Sequence, residues 1–144
     1  MTDICTNRKA RHEYHVIETK EAGIVLQGTE VKSCRQGGVS LEGSYATVRD
    51  GELWLISANI EEYSFGNRAN HEPKRDRKLL LKKREIADFA SQAEIKGYTI
   101  VPLRMYFSEG RVKVEIAVCK GKQAHDKRES LKKKDQQREI RDYR

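Results

Sequence analysis

The sequence predicts a mainly β domain: a small closed antiparallel barrel of about six strands, with two or three short accessory helices and a basic C-terminal tail. Three observations predict it. Two hairpin signals, Asp50-Gly51 and Ser108-Glu109-Gly110, each sit between strand-forming runs. One helical stripe lies between them, over residues 77–96. The last 25 residues carry many charges and few apolar side chains, so they add nothing to a core.

The elements follow in order. Residues 12–18 alternate loosely and 23–26 form a short apolar run, which reads as two strands around a turn or bulge at residues 21–23. Thr29 opens a short helix over residues 30–36, and Gly37-Gly38 stops it. Residues 45–49 and 52–57 make the first hairpin. Leu80, Leu81, Ile86, Phe89, Ala90 and Ala93 form the helical stripe, in one helix or two, and Gly97 caps its end. Residues 98–107 and 111–118 make the second hairpin, and Pro102 places its strand at an edge or a bulge. An OB-type barrel suits this pattern, because closure removes exposed edges and leaves a face suited to nucleic acid.

Two regions are expected: a barrel over residues 1–119 and a tail over 120–144. The tail holds ten Lys or Arg against five Asp or Glu, a net +5 of the whole chain's +7. It has good helix propensity, with no Pro and no Gly after Gly121, and pairs such as Glu129 with Lys133 fall at helical spacing. Leu131, Ile140 and Tyr143 are too few to offset the entropy of ordering it. Such a segment folds on a partner, and a polyanion is the natural one for a basic helix. A merely solvated tail is the other reading.

Apolar runs such as Leu79-Leu80-Leu81 fall far short of the roughly 20 residues of a membrane span. The N-terminus has no apolar signal core, so a cytoplasmic protein is expected. Cys5, Cys34 and Cys119 are odd in number and lack CxxC spacing, which fits a reducing compartment better than a disulfide framework or a zinc site. His12, His15, His71 and His125 are scattered without ligand spacing, and no residue cluster supplies an acid/base pair. His12 and His71 read as hydrogen-bonding surface or core residues. Glu30 reads as a cap or as the partner of Lys32 or a neighbouring Arg. No enzyme, metal or cofactor is expected.

Two basic clusters stand out. Asn7-Arg8-Lys9-Ala10-Arg11-His12 precedes the first expected strand, and residues 68–84 carry eight Lys or Arg against Glu72 and Asp76. Arg in such loops suits bidentate phosphate contacts, and nearby Asn, His and Tyr suit sugar and base edges. An ordinary salt-bridged surface is the bland alternative.

Five blocks then occur in one order: NRKARHEY from Asn7, EAGIVLQGTEVKS from Glu21, RKLLL from Arg77 with Arg84-Glu85-Ile86, KGYTIVPL from Lys96 and KGKQAHDKR from Lys120. Together they resemble the small protein B family, the SsrA-binding proteins of bacteria, from Asn7 to the C-terminus. Cys34 stands where Leu is commoner in that family, and Lys82 where His is frequent. The resemblance implies an OB-fold barrel and a non-enzymatic partner of transfer-messenger RNA in trans-translation. It implies that the body grips the elbow of the tRNA-like domain, standing where an anticodon arm would be. The tail would enter the empty mRNA channel near the decoding centre and become helical there.

Carried over by position, the implied RNA contacts are Asn7, Arg8, Lys9, Arg11, His12, Glu21, Lys32, Arg75, Arg77 and Lys78. Glu21 would accept from a base amino group or a 2′-OH, or orient an Arg. The implied ribosome-facing residues are Lys120, Lys122, His125, Asp126, Lys127, Arg128, Lys132, Lys133, Lys134 and Arg138. The expected partners are transfer-messenger RNA and the ribosome, engaged by a monomer, with no membrane. A ribosomal structural protein or other general RNA-binding protein is the rival reading.

Overall fold

The computed structural model describes residues 2–65 and 70–121. Nine strands and three helices follow in the order β1 (Thr2–Thr6), α1 (Arg8–Glu13), β2 (Tyr14–Ile24), α2 (Gly28–Arg35), β3 (Val39–Ser40), β4 (Tyr45–Arg49), β5 (Glu52–Ile56), β6 (Asn59–Ile60), β7 (Arg77–Leu80), α3 (Lys83–Ala93), β8 (Tyr98–Ser108) and β9 (Arg111–Gly121). Six strands run β8-β4-β5-β7-β2-β9, and β9 returns to β8 to close the ring. All these pairings are antiparallel. This is the six-stranded mainly β architecture that the sequence predicts, with β1 added alongside β8 and a small β3–β6 pair outside the ring.

Both hairpins are two-residue turns. Asp50 and Gly51 take φ of 53° and 76°, and Glu109 and Gly110 take 52° and 76°. Positive φ at both central residues matches the right-handed twist of the flanking strands. Ser108 belongs to the strand, paired with Arg111.

Four expectations are corrected. Residues 77–80 are a strand, so the helix is confined to Lys83–Ala93. Leu79 points into the core while Leu80 is half exposed, an alternation of period two that a helical reading of the Leu run hides. The two expected strands around residues 21–23 are one continuous strand, and its bulge lies between Val16 and Glu18. The basic cluster after Asn7 is itself the helix α1, and a strand, β1, precedes it. β9 runs to Gly121, three residues past the expected strand end at 118, with Lys120 opposite both His15 and Tyr98.

Leu53, Leu55, Leu79, Ile100, Met105, Val114, Ile116 and Val118 fill the ring's interior, and Phe89 of α3 packs with them. Each fully buried aliphatic or aromatic side chain of this kind stabilises by about 1.5–3 kcal/mol. A second cluster lies on the outer side, where Ala10 of α1 meets Val101, Leu103, Ala117 and Cys119. The bulge at Pro102–Arg104 makes this possible. It turns Leu103 and Arg104 both outward, so α1 gains an apolar seat while Met105 returns to the core. Among the described residues, no helix is long and apolar enough to cross a membrane.

Candidate nucleic-acid interface

Alternation along three neighbouring strands builds the candidate face. On β9, Val112, Val114, Ile116 and Val118 point inward, so Arg111, Lys113 and Glu115 point outward. Register places Lys113 between Tyr106 of β8 and Gly23 of β2, and Glu115 between Arg104 and Glu21. Gly23 in turn pairs with Leu80 of β7. A Cβ built on Gly23 would lie 3.3 Å from the Leu80 Cβ, so a side chain here would push Leu80 aside. Gly23, Leu80, Arg111 and Lys113 line a groove together with Leu26 and Val31. Val25 and Leu80 are 45% and 49% exposed, apolar surface beside two cations.

The charges on this face are ordered. Arg104 Nη1 donates to Asp3 at 2.6 Å and its Nε to Glu115 at 3.2 Å. Its guanidinium lies 4.2 Å from the centre of the Tyr106 ring. Partial burial works against that charge, yet the bonds to Asp3 and Glu115 hold its pKa above the ordinary value. Arg11 of α1 approaches Glu115 at 3.6 Å. The Tyr106 hydroxyl donates to Glu21 Oε2. Burial first, and then that bond, pushes the Tyr106 pKa up.

The expected RNA-binding residues fall into three groups. Arg8, Lys9, Arg11 and His12 are exposed on α1, which rides beside the face on its Ala10 seat, and Glu21 lies on the face itself. Lys32 and Lys78 are accessible but engaged: Lys32 lies over the Tyr63 ring at 5.4 Å, and Lys78 pairs with Glu52 at 2.5 Å. Asn7, Arg75 and Arg77 are turned to structural work.

Asn7 is buried. Its amide nitrogen Nδ2 donates to Pro102 O at 2.9 Å and Leu41 O at 3.2 Å, and its Oδ1 accepts from the Ala10 amide. It thus caps α1 and ties it to the β8 bulge. Both Nδ2 hydrogens are engaged within the protein.

Arg77 is 0% exposed. Its Nε donates to Glu30 Oε2 at 2.7 Å, Nη1 to Ala58 O at 2.9 Å and Nη2 to Pro73 O at 3.0 Å. Arg75 binds the same carboxylate, with Nη2 2.6 Å from Glu30 Oε1. Glu30 is itself fully buried and also accepts from the Gln27 amide, closing a capping box on α2. Burial opposes its charge, but the bonds from Arg75 and Gln27 and the Arg77 charge prevail and hold its pKa below the usual carboxylate range. Burial pulls Arg77 below its ordinary value, with Glu30 opposing. Arg77, expected as an RNA contact, is thus buried here, where a buried carboxylate claims its charge. Arg75 keeps an exposed edge but shares that partner.

His71 stands in the core beside this cluster, with Nε2 2.8 Å from Ile60 O and Nδ1 2.9 Å from Thr29 Oγ1. A carbonyl accepts only, so Nε2 carries a proton and donates to Ile60 O. The three thiols are raised to about 11 for Cys5, about 12 for Cys34 and about 11 for Cys119, each chiefly by burial. They are poor nucleophiles at neutral pH. Arg111, Lys113, Leu80 and Tyr106, which the sequence reading did not single out as site residues, belong to this candidate face. The period-two alternation after Gly110 was the available signal for the first two. Lys122, His125, Asp126, Lys127, Arg128, Lys132, Lys133, Lys134, Arg138 and, in the second basic cluster, Arg68 lie outside the described residues.

Comparison with known proteins identifies the fold's relatives. The family model for SmpB protein matches residues 4–143. The SsrA-binding protein of Desulforudis audaxviator (strain MP104C) is 53% identical over 137 residues, covering 95% of this chain and 90% of that protein. The SsrA-binding protein of Mycobacterium tuberculosis (strain H37Rv) is also 53% identical, over 95% of this chain and 86% of that one. A chain of the solved structure described as "tmRNA-SmpB: a journey to the center of the bacterial ribosome" superposes with a TM-score of 0.74 at 47% identity, covering 88% of this chain and 93% of its own. The chain belongs to the SmpB family of SsrA-binding proteins.

Proposed function

We propose that this chain binds the tRNA-like domain of transfer-messenger RNA and delivers it to stalled ribosomes for trans-translation. It does so as a non-enzymatic partner in the bacterial cytoplasm. The observation that carries this reading is the outward face of β8, β9 and β2. Arg11, Arg111 and Lys113 supply phosphate contacts there, Leu80 and Val25 supply apolar surface, and Glu21 supplies a hydrogen-bond acceptor. The names of the relatives and of the solved neighbour point to the same partners. Residues 122–144 act as the ribosome probe, with Lys122, His125, Asp126, Lys127 and Arg128 followed by the basic run at 132–138 in the empty mRNA channel. Lys120 belongs to β9, which supports a working boundary between body and probe after Gly121.

One experiment tests both halves. The full chain and a chain ending at Gly121 are expressed in a bacterial cell, and the RNA that co-purifies with each is sequenced. Both carry transfer-messenger RNA, and only the full chain restores tagging of stalled products. Recovery of ribosomal RNA in stoichiometric amount, without transfer-messenger RNA, would identify a ribosomal structural protein instead.

A further inference from the structure

Glu21 and Glu115 face each other across β2 and β9. Like charges directly opposite on a sheet are destabilising, and such a breach of a local rule marks a place where function overrides stability. The two carboxylates are treated differently. Glu115 is neutralised by Arg104 at 3.2 Å and Arg11 at 3.6 Å. Among the described residues, no Lys or Arg forms an ion pair with Glu21, and its partner is the neutral Tyr106 hydroxyl. Tyr106 is 2% exposed overall and is covered by the Arg104 guanidinium, so its hydroxyl is held in one place. Glu21 lies at the exposed surface. A bound hydroxyl leaves lone pairs on both carboxylate oxygens.

We propose that Tyr106 is a positioning residue that fixes the Glu21 carboxylate, through its hydroxyl, to accept from a donor edge of the RNA: an exocyclic base amino group or a 2′-OH. This rests on the RNA-binding reading of the face. A free carboxylate repels phosphate, so it gains affinity only by meeting a donor in one orientation. A flexible Glu would lose rotamer entropy on binding. The Tyr106 hydroxyl removes that loss in advance, at a residue that itself never touches the RNA. Arg104 serves the same end twice, by neutralising Glu115 and by covering the Tyr106 ring.

The test is a double-mutant cycle on binding of a transcript of the tRNA-like domain, read at several salt concentrations. Glu21→Ala and Tyr106→Phe each weaken binding about tenfold, the scale of one charged hydrogen bond, and the double variant is no weaker than Glu21→Ala. The salt slope stays unchanged in all three, since every cation that meets a phosphate is still present. Glu21→Asp, which keeps the charge but withdraws it from the hydroxyl, loses affinity likewise and leaves the core untouched. Multiplying losses in the double variant, or full affinity in Tyr106→Phe beside a weakened Glu21→Ala, would overturn the positioning role. Lys113→Ala separates the two levels of the reading. If it lowers neither affinity nor salt slope while Glu21→Ala also binds normally, the interface itself lies elsewhere and the inference falls with it.

Discussion

Two basic segments look alike in the chain, Arg8-Lys9-Ala10-Arg11 and Arg75-Asp76-Arg77-Lys78, and the fold uses them in opposite ways. The first becomes α1, one turn and a half seated by Ala10, with Arg8, Lys9 and Arg11 left at the surface. The second enters β7, where alternation drives Arg77 into the core and Glu30, 47 residues away in sequence, receives it. A cluster of cations thus reports charge and says nothing of its address. The address depends on secondary-structure period and on whether a buried carboxylate waits at the far side.

The sharpest way to break this comparison is to remove the internal charge. Arg77→Ala leaves Glu30 buried with Arg75 and the Gln27 amide alone and should cost about 3–5 kcal/mol of folding stability, measured by urea denaturation. If the variant kept its stability and lost RNA affinity with a shallower salt slope, Arg77 would be a phosphate ligand after all.

Asn7 sits at the hinge of the comparison, polar in sequence yet buried in the fold. Asn7→Ala forfeits the cap of α1 and leaves the Pro102 and Leu41 carbonyls without their donor, a loss of about 1–3 kcal/mol. Asn7→Asp keeps the cap but turns a carboxylate toward those two carbonyls, so it should be the worse of the two by thermal melting. The opposite order would mean that capping is the larger part of its role.

The smallest effect on folding belongs to the outer cluster. Arg8→Ala with Arg11→Ala should change stability by no more than about 0.5 kcal/mol, as expected of surface sites. The same pair should reduce the log–log salt slope of RNA binding by roughly 0.7–0.9 for each phosphate that is no longer neutralised. A stability loss as large as that of Arg77→Ala would erase the contrast between the two segments.

Much of the fold is legible in the sequence. Asp50-Gly51 and Glu109-Gly110 demand their turns, and the long alternation from Val112 to Val118 demands a half-buried strand. The face built by Arg111, Lys113 and Glu115 lies on the other side of that same alternation. What is not legible has physical causes. Leu79-Leu80-Leu81 satisfies a strand and a helix equally, so β7 merges with the helix in a sequence reading. β1, Thr2–Thr6, is a short strand added outside the ring whose polar residues carry little pattern. Gly23 reads as a turn, but its want of a side chain serves Leu80 within a continuous strand. The Glu30–Arg77 pairing is a long-range choice that no local window holds. Glu30 reads from sequence as a cap or as the partner of an Arg, and it is both.

β9 ends at Gly121 with partners on both flanks, Tyr14 on β2 and, through its own amide, the Gly97 carbonyl. Antiparallel hydrogen bonds lie perpendicular to the strand, so a pull along β9 would load two ladders in shear, many bonds at a time. A pull across the strand would instead unzip it bond by bond. Any tension reaching Gly121 from residues 122–144 is therefore delivered to the middle of the closed sheet. Gly121, from which the charged residues 122–144 continue, is thus held from both flanks.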